Sequence, residues 1–299
     1  MTMRFDDRVV LVTGAGQGLG RCHALQFAAR GARVVVNDAG TTATGQGMDT
    51  ACADQVVEEI VANGGEAVAS HDSVTRGEQL VQCALDNFGR IDVLVHNAGI
   101  LRDRAFHKMS EDDWDQVYEV HLKGAFKVSR AAWPHLREQQ YGRLVFTSSA
   151  AGLYGNFGQA NYAMAKLGLH GFCQTLALEG RHYNILANTL APVADSRLTA
   201  EVMPAEWREQ LRPEDVSPVV LKLCHESHDD SGALYETAAG WVGALRWERS
   251  RGHAFTRKYP LTPEAVQEDW PSIVDFRDAD HPADAQQSLN LLMQHRHSG

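Results

Sequence analysis

The sequence predicts an α/β fold, a doubly wound parallel sheet forming one domain with a C-terminal extension. Three observations carry that prediction. Short β-branched apolar runs recur along the chain, stretches of helical period lie between them, and the first run leads into a glycine-rich turn. Near-continuous apolar runs suit strands covered on both faces, because crossover helices bury a parallel sheet.

The first strand is predicted over 9–12, and a glycine turn leads from it into a helix. A second strand over 33–37 ends at Asp38. Helical periodicity follows over 54–62, a strand over 67–70, a helix over 77–88 and a strand over 93–96. A long helix is predicted over 114–139, with Pro134 expected to kink or shorten its end. The next strand is 144–147, the next helix 161–180, and a further strand lies near 185–190. The stretch 204–213 reads as a mobile segment between two prolines. The alternation defines a domain over 1–245. Residues 246–299 carry Pro260, Pro263, Pro271 and Pro282 with little periodicity, and read as an extension packing on the domain or an interface. The polar tail from Asp278 is expected to be partly disordered.

A chain of 299 residues is long enough for one large core. The net charge of −10 argues against a nucleic-acid surface. The fourteen His show no ligand spacing such as H-E-x-x-H, so no metal is expected. Five scattered Cys without C-x-x-C spacing read as reduced thiols in a reducing compartment. The first strand begins near Arg8, which leaves no room for a signal peptide, and the final residues carry no targeting signal. No apolar run approaches the roughly 20 residues of a membrane span. A cytoplasmic protein without membrane contact is the expectation.

The run Val9-Val10-Leu11-Val12-Thr13-Gly14-Ala15-Gly16-Gln17-Gly18-Leu19-Gly20 is a strand, a sharp turn and a helix start. Glycines there let backbone approach a pyrophosphate, and the helix N-terminus supplies N–H groups and a positive dipole end. This is a Rossmann-type dinucleotide site with Gly14, Gln17, Gly18, Leu19 and Gly20 as its loop. Asp38, about 20 residues on, can accept both ribose hydroxyls and would repel a 2′-phosphate. No Arg follows Asp38, so NAD is favoured over NADP. Asp72 and Ser73 follow the third strand, and Asn97-Ala98-Gly99 the fourth, where they can contact the cofactor.

The second half of the chemistry is Tyr162-Ala163-Met164-Ala165-Lys166, preceded by Thr147-Ser148-Ser149. A Tyr and a Lys four apart share one helix face. An ammonium nearby favours the phenolate and is expected to lower the Tyr pKa. Such a Tyr serves as general base toward an alcohol and general acid toward a ketone.

Taken together, Thr13–Gly20, Asn97-Ala98-Gly99, Ser149, Tyr162 and Lys166 resemble the short-chain dehydrogenase/reductase superfamily over roughly residues 5–240. Tyr154–Tyr162, Cys224-His225-Glu226-Ser227, Ala239-Gly240-Trp241, 245–249 and 262–266 are similar to the (3R)-hydroxyacyl-CoA dehydrogenase units of type 2 peroxisomal multifunctional enzymes. The resemblance implies Tyr162 as proton donor and acceptor, Lys166 as its partner and ribose ligand, and Ser149 as hydrogen-bond donor to the substrate oxygen. It implies Ala194 near the nicotinamide amide, although the Gly usual in that segment is absent from 191–194. His121 stands where many members have Asn, and His96 where many have a first Asn; His96 reads as a strand-end residue without a role. The substrate implied is a 3-hydroxyacyl-CoA, with a 17β-hydroxysteroid as the alternative. Arg102, Arg104, Arg197, Arg208, Arg212 and Lys222 are either phosphate ligands for CoA or surface charges. A non-catalytic nucleotide binder is the rival class, and it would lack part of the Ser/Tyr/Lys set. Assembly into a homodimer or homotetramer through 114–139 and 161–180 is also implied.

Overall fold

The computed structural model describes residues 2–47, 49–195, 205–255 and 261–298. The chain divides into two compact units, 1–244 and 245–299.

In the first unit, β1 (Val9–Thr13), α1 (Gly18–Ala28), β2 (Arg33–Asn37), α2 (Ala51–Ala62), β3 (Glu66–Ser70), α3 (Gly77–Phe88) and β4 (Val93–His96) form the first half. The second half contains α4 (Glu111–Tyr118), α5 (Gly124–Gln139), β5 (Gly142–Thr147), α6 (Ala150–Tyr154), α7 (Ala160–Gly180) and β6 (Ile185–Val193). Beyond it lie α8 (Ala205–Arg208), α9 (Ser217–Cys224), β7 (Leu234–Ala238) and β8 (Trp241–Leu245). The strand order is β3-β2-β1-β4-β5-β6-β7-β8, and every pairing from β3 to β7 is parallel. The predicted doubly wound sheet is therefore the sheet the chain forms. Its order reverses between β1 and β4, which opens a crevice at the carboxyl ends of those strands.

Successive side chains of a strand face opposite ways, and the core follows that period. Val10, Val12, Val34 and Val36 pack with Phe27 of α1, Ile60 of α2 and Val220 of α9. Val9, Leu11, Leu144 and Phe146 pack on the other face with Leu80 of α3, Leu136 of α5 and Leu169 of α7.

Several elements differ from the sequence reading. The helix predicted from Trp114 starts at Glu111, because Ser110 and Asp113 form a reciprocal capping box. It is then interrupted by a π-helical turn at Glu119–Lys123. Pro134 does not shorten α5, which runs on to Gln139. One missing N–H is outweighed by the buried face of Val128, Ala132 and Leu136. The stretch read as mobile contains α8 and is tied down from 205 onward. Arg208 Nε donates to Asp195 Oδ1 at 2.7 Å, Asp195 N donates to Leu211 O at 2.6 Å, and Leu211 is buried. Pro204 lies outside the described residues.

Strands β7 and β8 had no sequence prediction. They are joined by Ala239-Gly240, whose φ values are +48° and +79°. Two positive φ values define a type I′ turn, so β8 returns antiparallel at the sheet edge.

The second unit contains α10 (Pro263–Ile273) and α11 (Ala285–Ser298). Thr262 caps α10 by accepting from Ala265 N at 3.2 Å, with Pro263 at the first helical position. The tail expected to be partly disordered instead forms α11. Asp280 anchors it: Oδ2 accepts from Arg249 Nη2 at 3.1 Å and lies 2.7 Å from His295 Nε2.

Candidate active site

The crevice between β1 and β4 opens into a cavity of about 530 Å³. Gly14, Gln17, Gly18, Leu19, Asp38, Asp72, Ser73, Asn97, Ala98 and Gly99 all line it. Ten of the residues proposed as cofactor ligands thus meet in one place. Gly20 sits behind the loop, where a Cβ would lie 2.1 Å from Gly14 O. Ala194 is a buried residue just past β6 and does not line this cavity.

The glycines have separate physical reasons. At Gly14, φ is +64° and a Cβ would come within 2.8 Å of Ala98 Cα. At Gly18, φ is +53° and the space a Cβ would take is open, so the backbone borders the cavity directly. Gln17 precedes α1 in extended conformation without a side-chain cap. The first N–H groups of α1 thus remain available to an anion. Asn97 braces the turn from behind, its Nδ2 donating to Thr13 O and Gly14 O at 3.1 Å.

Asp38 accepts from Gly16 N at 2.9 Å and from Gly40 N at 2.8 Å, one bond per oxygen. A carboxylate oxygen accepts two bonds, so each retains one for a ribose hydroxyl. Thr41, Thr42, Ala43 and Gly45 also line the cavity, and Leu101 N donates to Ala43 O at 2.9 Å. The sequence reading missed this loop, although Gly40, Gly45 and Gly47 gave a signal for it. An open glycine loop, uncapped helix N–H groups and a doubly accepting carboxylate together fit a nucleotide cofactor.

The triad lies beyond the carboxyl end of β5. Ser149 caps α6, and its Oγ accepts from Ala151 N at 3.2 Å. The Ser149 hydroxyl favours the charged form of the Tyr162 phenol. Lys166 is buried, and its Nζ donates to Thr147 O at 2.7 Å and lies 5.5 Å from the Tyr162 ring centre. Gly152 lets α6 sit against α7, since a Cβ there would come within 2.8 Å of Lys166 Cβ.

The electrostatics differ from the sequence expectation. Burial pushes the Tyr162 phenol up to about 12, with the Ser149 hydrogen bond pulling down and the Asp103 charge pushing up. Burial pushes Lys166 down to about 7. Burial disfavours the charged form of both groups, and it dominates the phenol.

His121 is buried in the π-helical turn, edge-on to Tyr162 at 5.4 Å. Its Nε2 lies 3.0 Å from Ile100 N and 2.9 Å from Ile100 O. Gly99 is required opposite it, because a Cβ would meet its Cε1 at 2.5 Å. Burial holds His121 near 3, so it is a neutral imidazole. His96 is a core residue stacked on Phe146, with Nε2 2.9 Å from Ser129 Oγ.

Of the candidate phosphate ligands, Arg208 pairs with Asp195, Arg212 with Asp215, and Arg102 with Asp112 and Asp113. Lys222 donates to Ser227 O at 3.4 Å, and Arg104 is exposed, 3.9 Å from Asp113. Arg197 lies outside the described residues. Among the described residues, no cluster of His, Cys, Asp or Glu is arranged to hold a metal. No described helix is long and apolar enough to cross a membrane.

The sequence pattern of the short chain dehydrogenase family matches residues 8–207. Peroxisomal multifunctional enzyme type 2 of Mus musculus is 57% identical over 297 residues, covering 99% of this chain and 40% of its own length. A short-chain type dehydrogenase/reductase of Mycobacterium tuberculosis is 50% identical over 276 residues, covering 91% of this chain and 96% of its own. The solved structure of full-length peroxisomal multifunctional enzyme type 2 from Drosophila melanogaster superposes with a TM-score of 0.85 at 41% identity, covering 99% of this chain and 50% of that one. The chain thus spans half or less of the two multifunctional relatives. It belongs to the short-chain dehydrogenase family.

Proposed function

We propose that this protein is an NAD-dependent oxidoreductase interconverting a (3R)-3-hydroxyacyl-CoA and the 3-oxoacyl-CoA. The family and fold imply a nicotinamide cofactor. The observation carrying the reaction class is the convergence of Ser149, Tyr162 and Lys166 beyond β5. The acyl-CoA assignment rests on similarity to multifunctional enzymes over nearly the whole chain. A nucleotide binder without chemistry has no use for that triad.

When bound, the nicotinamide supplies the hydride acceptor or donor; the chain's own residues handle the proton and the geometry. Ser149 Oγ donates to the substrate oxygen and steadies its developing charge. Tyr162 Oη takes the hydroxyl proton in oxidation and returns one in reduction. Lys166 Nζ, which donates to Thr147 O, would hold the nicotinamide ribose hydroxyls of a bound cofactor and offer the proton a way out. Asp38 holds the other ribose.

Asp38 also decides between cofactors. Replacing Asp38 by Asn should raise KM for NAD about tenfold or more, since a hydrogen bond to a charged group is worth about 1.5–3 kcal/mol. KM for NADP should fall in the same variant, because the repulsion toward a 2′-phosphate is gone. Initial rates with both cofactors check this, and an unchanged KM ratio would remove Asp38 from the ribose site.

The alternative substrate is a 17β-hydroxysteroid. One observation favours it. The described basic residues named above are mostly paired with carboxylates, Arg104 included, 3.9 Å from Asp113. Assembly is proposed as a symmetric homodimer, or a homotetramer built from it. The faces of α5 and α7 present an apolar groove of about 410 Å³ lined by Phe126, Trp133, Pro134, Phe172 and Leu176. Five cysteines without a disulfide suit a reducing compartment such as the cytoplasm.

A further inference from the structure

A further cavity, of about 280 Å³, lies at the amino ends of β1, β5 and β6, away from the cofactor crevice. Two guanidiniums line it. Arg8 precedes β1, and Arg143 is the second residue of β5. Both rest on the Tyr141 ring, their Cζ atoms 3.8 Å and 4.4 Å from its centre. An aromatic face attracts cations, so the ring helps to fix both.

The two cations are neutralised unequally. Arg8 meets Asp92 at 3.3 Å and Glu226 at 3.2 Å. Arg143 is only 2% exposed, yet among the described residues it forms no ion pair. Its Nη1 makes all of its side-chain hydrogen bonds, donating to Gly142 O at 2.8 Å, Asn184 O at 2.9 Å and Asn184 Oδ1 at 3.3 Å. Its Nε is buried without a partner, and among the described residues Nη2 makes no hydrogen bond. Neighbouring carboxylates are engaged or turned to solvent. Asp92 Oδ1 takes Arg8 and Arg90, and its Oδ2 takes Val9 N and Arg90. Glu226 is exposed and already on Arg8, and Asp229 is exposed at the rim. A buried charge is costly unless an opposite charge meets it. The Nε–Nη2 edge of a guanidinium is the edge that grips an oxyanion through two parallel bonds.

We propose that this cavity is a binding site for a compact dianionic oxyanion of the phosphate type, gripped by the Nε–Nη2 edge of Arg143 with Arg8 beside it. The ion supplies the opposite charge that the chain itself does not bring to Arg143. It also ties the loop after α9, which carries Glu226 and Asp229, to the strand ends. Its effect is on stability and not on the reaction, because the cofactor crevice lies at the carboxyl ends of the strands.

The test is calorimetric titration and thermal melting with sodium phosphate, against sodium chloride at matched ionic strength. Saturating NAD is present throughout, so that phosphate is kept off the glycine turn. Wild type should show 1:1 binding with a Kd of roughly 1 mM, and about 10 mM phosphate should raise the melting midpoint by about 2–4 °C over chloride. Arg143→Met should lose both effects. Asp229→Asn removes a like charge from the rim and should tighten phosphate about threefold. Absence of saturable binding in wild type would overturn the proposal. So would equal binding in folded Arg143→Met, which would mean phosphate acting elsewhere or by general salt effects. Should Arg143→Met not fold, Asp229→Asn decides: a tighter Kd supports the site, and an unchanged or weaker one overturns it.

Discussion

Replacing Tyr162 by Phe is expected to lower kcat about 10²–10⁴-fold while leaving KM for NAD close to wild type. The substitution removes one oxygen and keeps the ring against His121 and Lys166. Binding should therefore survive and proton transfer should not. Ser149→Ala should also lose kcat, but less than fully in addition to the first change, because residues that act on the same reacting oxygen are not additive. Steady-state rates of the two single variants and the double variant decide it. A Tyr162→Phe enzyme with near-wild-type kcat would remove Tyr162 from the proton path, and with it the assignment of the whole triad.

The second large effect is a loss of stability in mild acid. His23, His96 and His121 are each buried, and burial pushes each down to about 3 from the ordinary 6.5. Their folded-state pKa values are depressed. Above about pH 6.5 they are neutral in both folded and unfolded chains, and their contribution is intact. Below it the unfolded chain binds protons that the folded chain refuses, so stability falls as pH drops from about 6.5 toward 3. Each histidine costs about 1.4 kcal/mol per pH unit in that window, and three together about 4 kcal/mol per unit. Against a total stability of about 5–15 kcal/mol, unfolding should set in within about two to three units below 6.5. Denaturant midpoints at pH 7, 6, 5 and 4 measure this directly. Constant stability from pH 7 to 5 would show that these imidazoles are hydrated in the folded protein.

Why these histidines are buried at all is visible in their partners. His23 Nδ1 lies 2.7 Å from Ser217 Oγ, which links α1 to α9. His96 joins β4 to α5 through Ser129, and His121 joins the π-helical turn to Ile100. Each makes a hydrogen bond that crosses elements, and the neutral ring is the form that fits there.

The sheet and the cofactor cavity could be read from residues because their signals are local. Val9–Thr13 followed by the glycines is one uninterrupted run, and Asp38 stands at the end of the next strand. The hairpin β7–β8 was not legible, because Glu236 and Thr237 break the apolar run of Leu234–Ala238 and Trp241–Leu245 is a short, largely exposed run interrupted by Gly243. The π-helical turn was hidden too, since helical periodicity runs through it without a break in composition. The electrostatics of the triad were misread for a related reason. Spacing puts Lys166 and Tyr162 on one face, but only the fold shows that Nζ turns to Thr147 O and that burial dominates both groups.

The most direct test of the central claim is NADH formation by purified protein with NAD and a panel of three alcohols. These are an (R)-3-hydroxyacyl-CoA, its (S) enantiomer and a 17β-hydroxysteroid. The account predicts rapid NADH formation with the (R)-acyl-CoA and little with the other two. Turnover of the steroid with none of the (R)-acyl-CoA would contradict it.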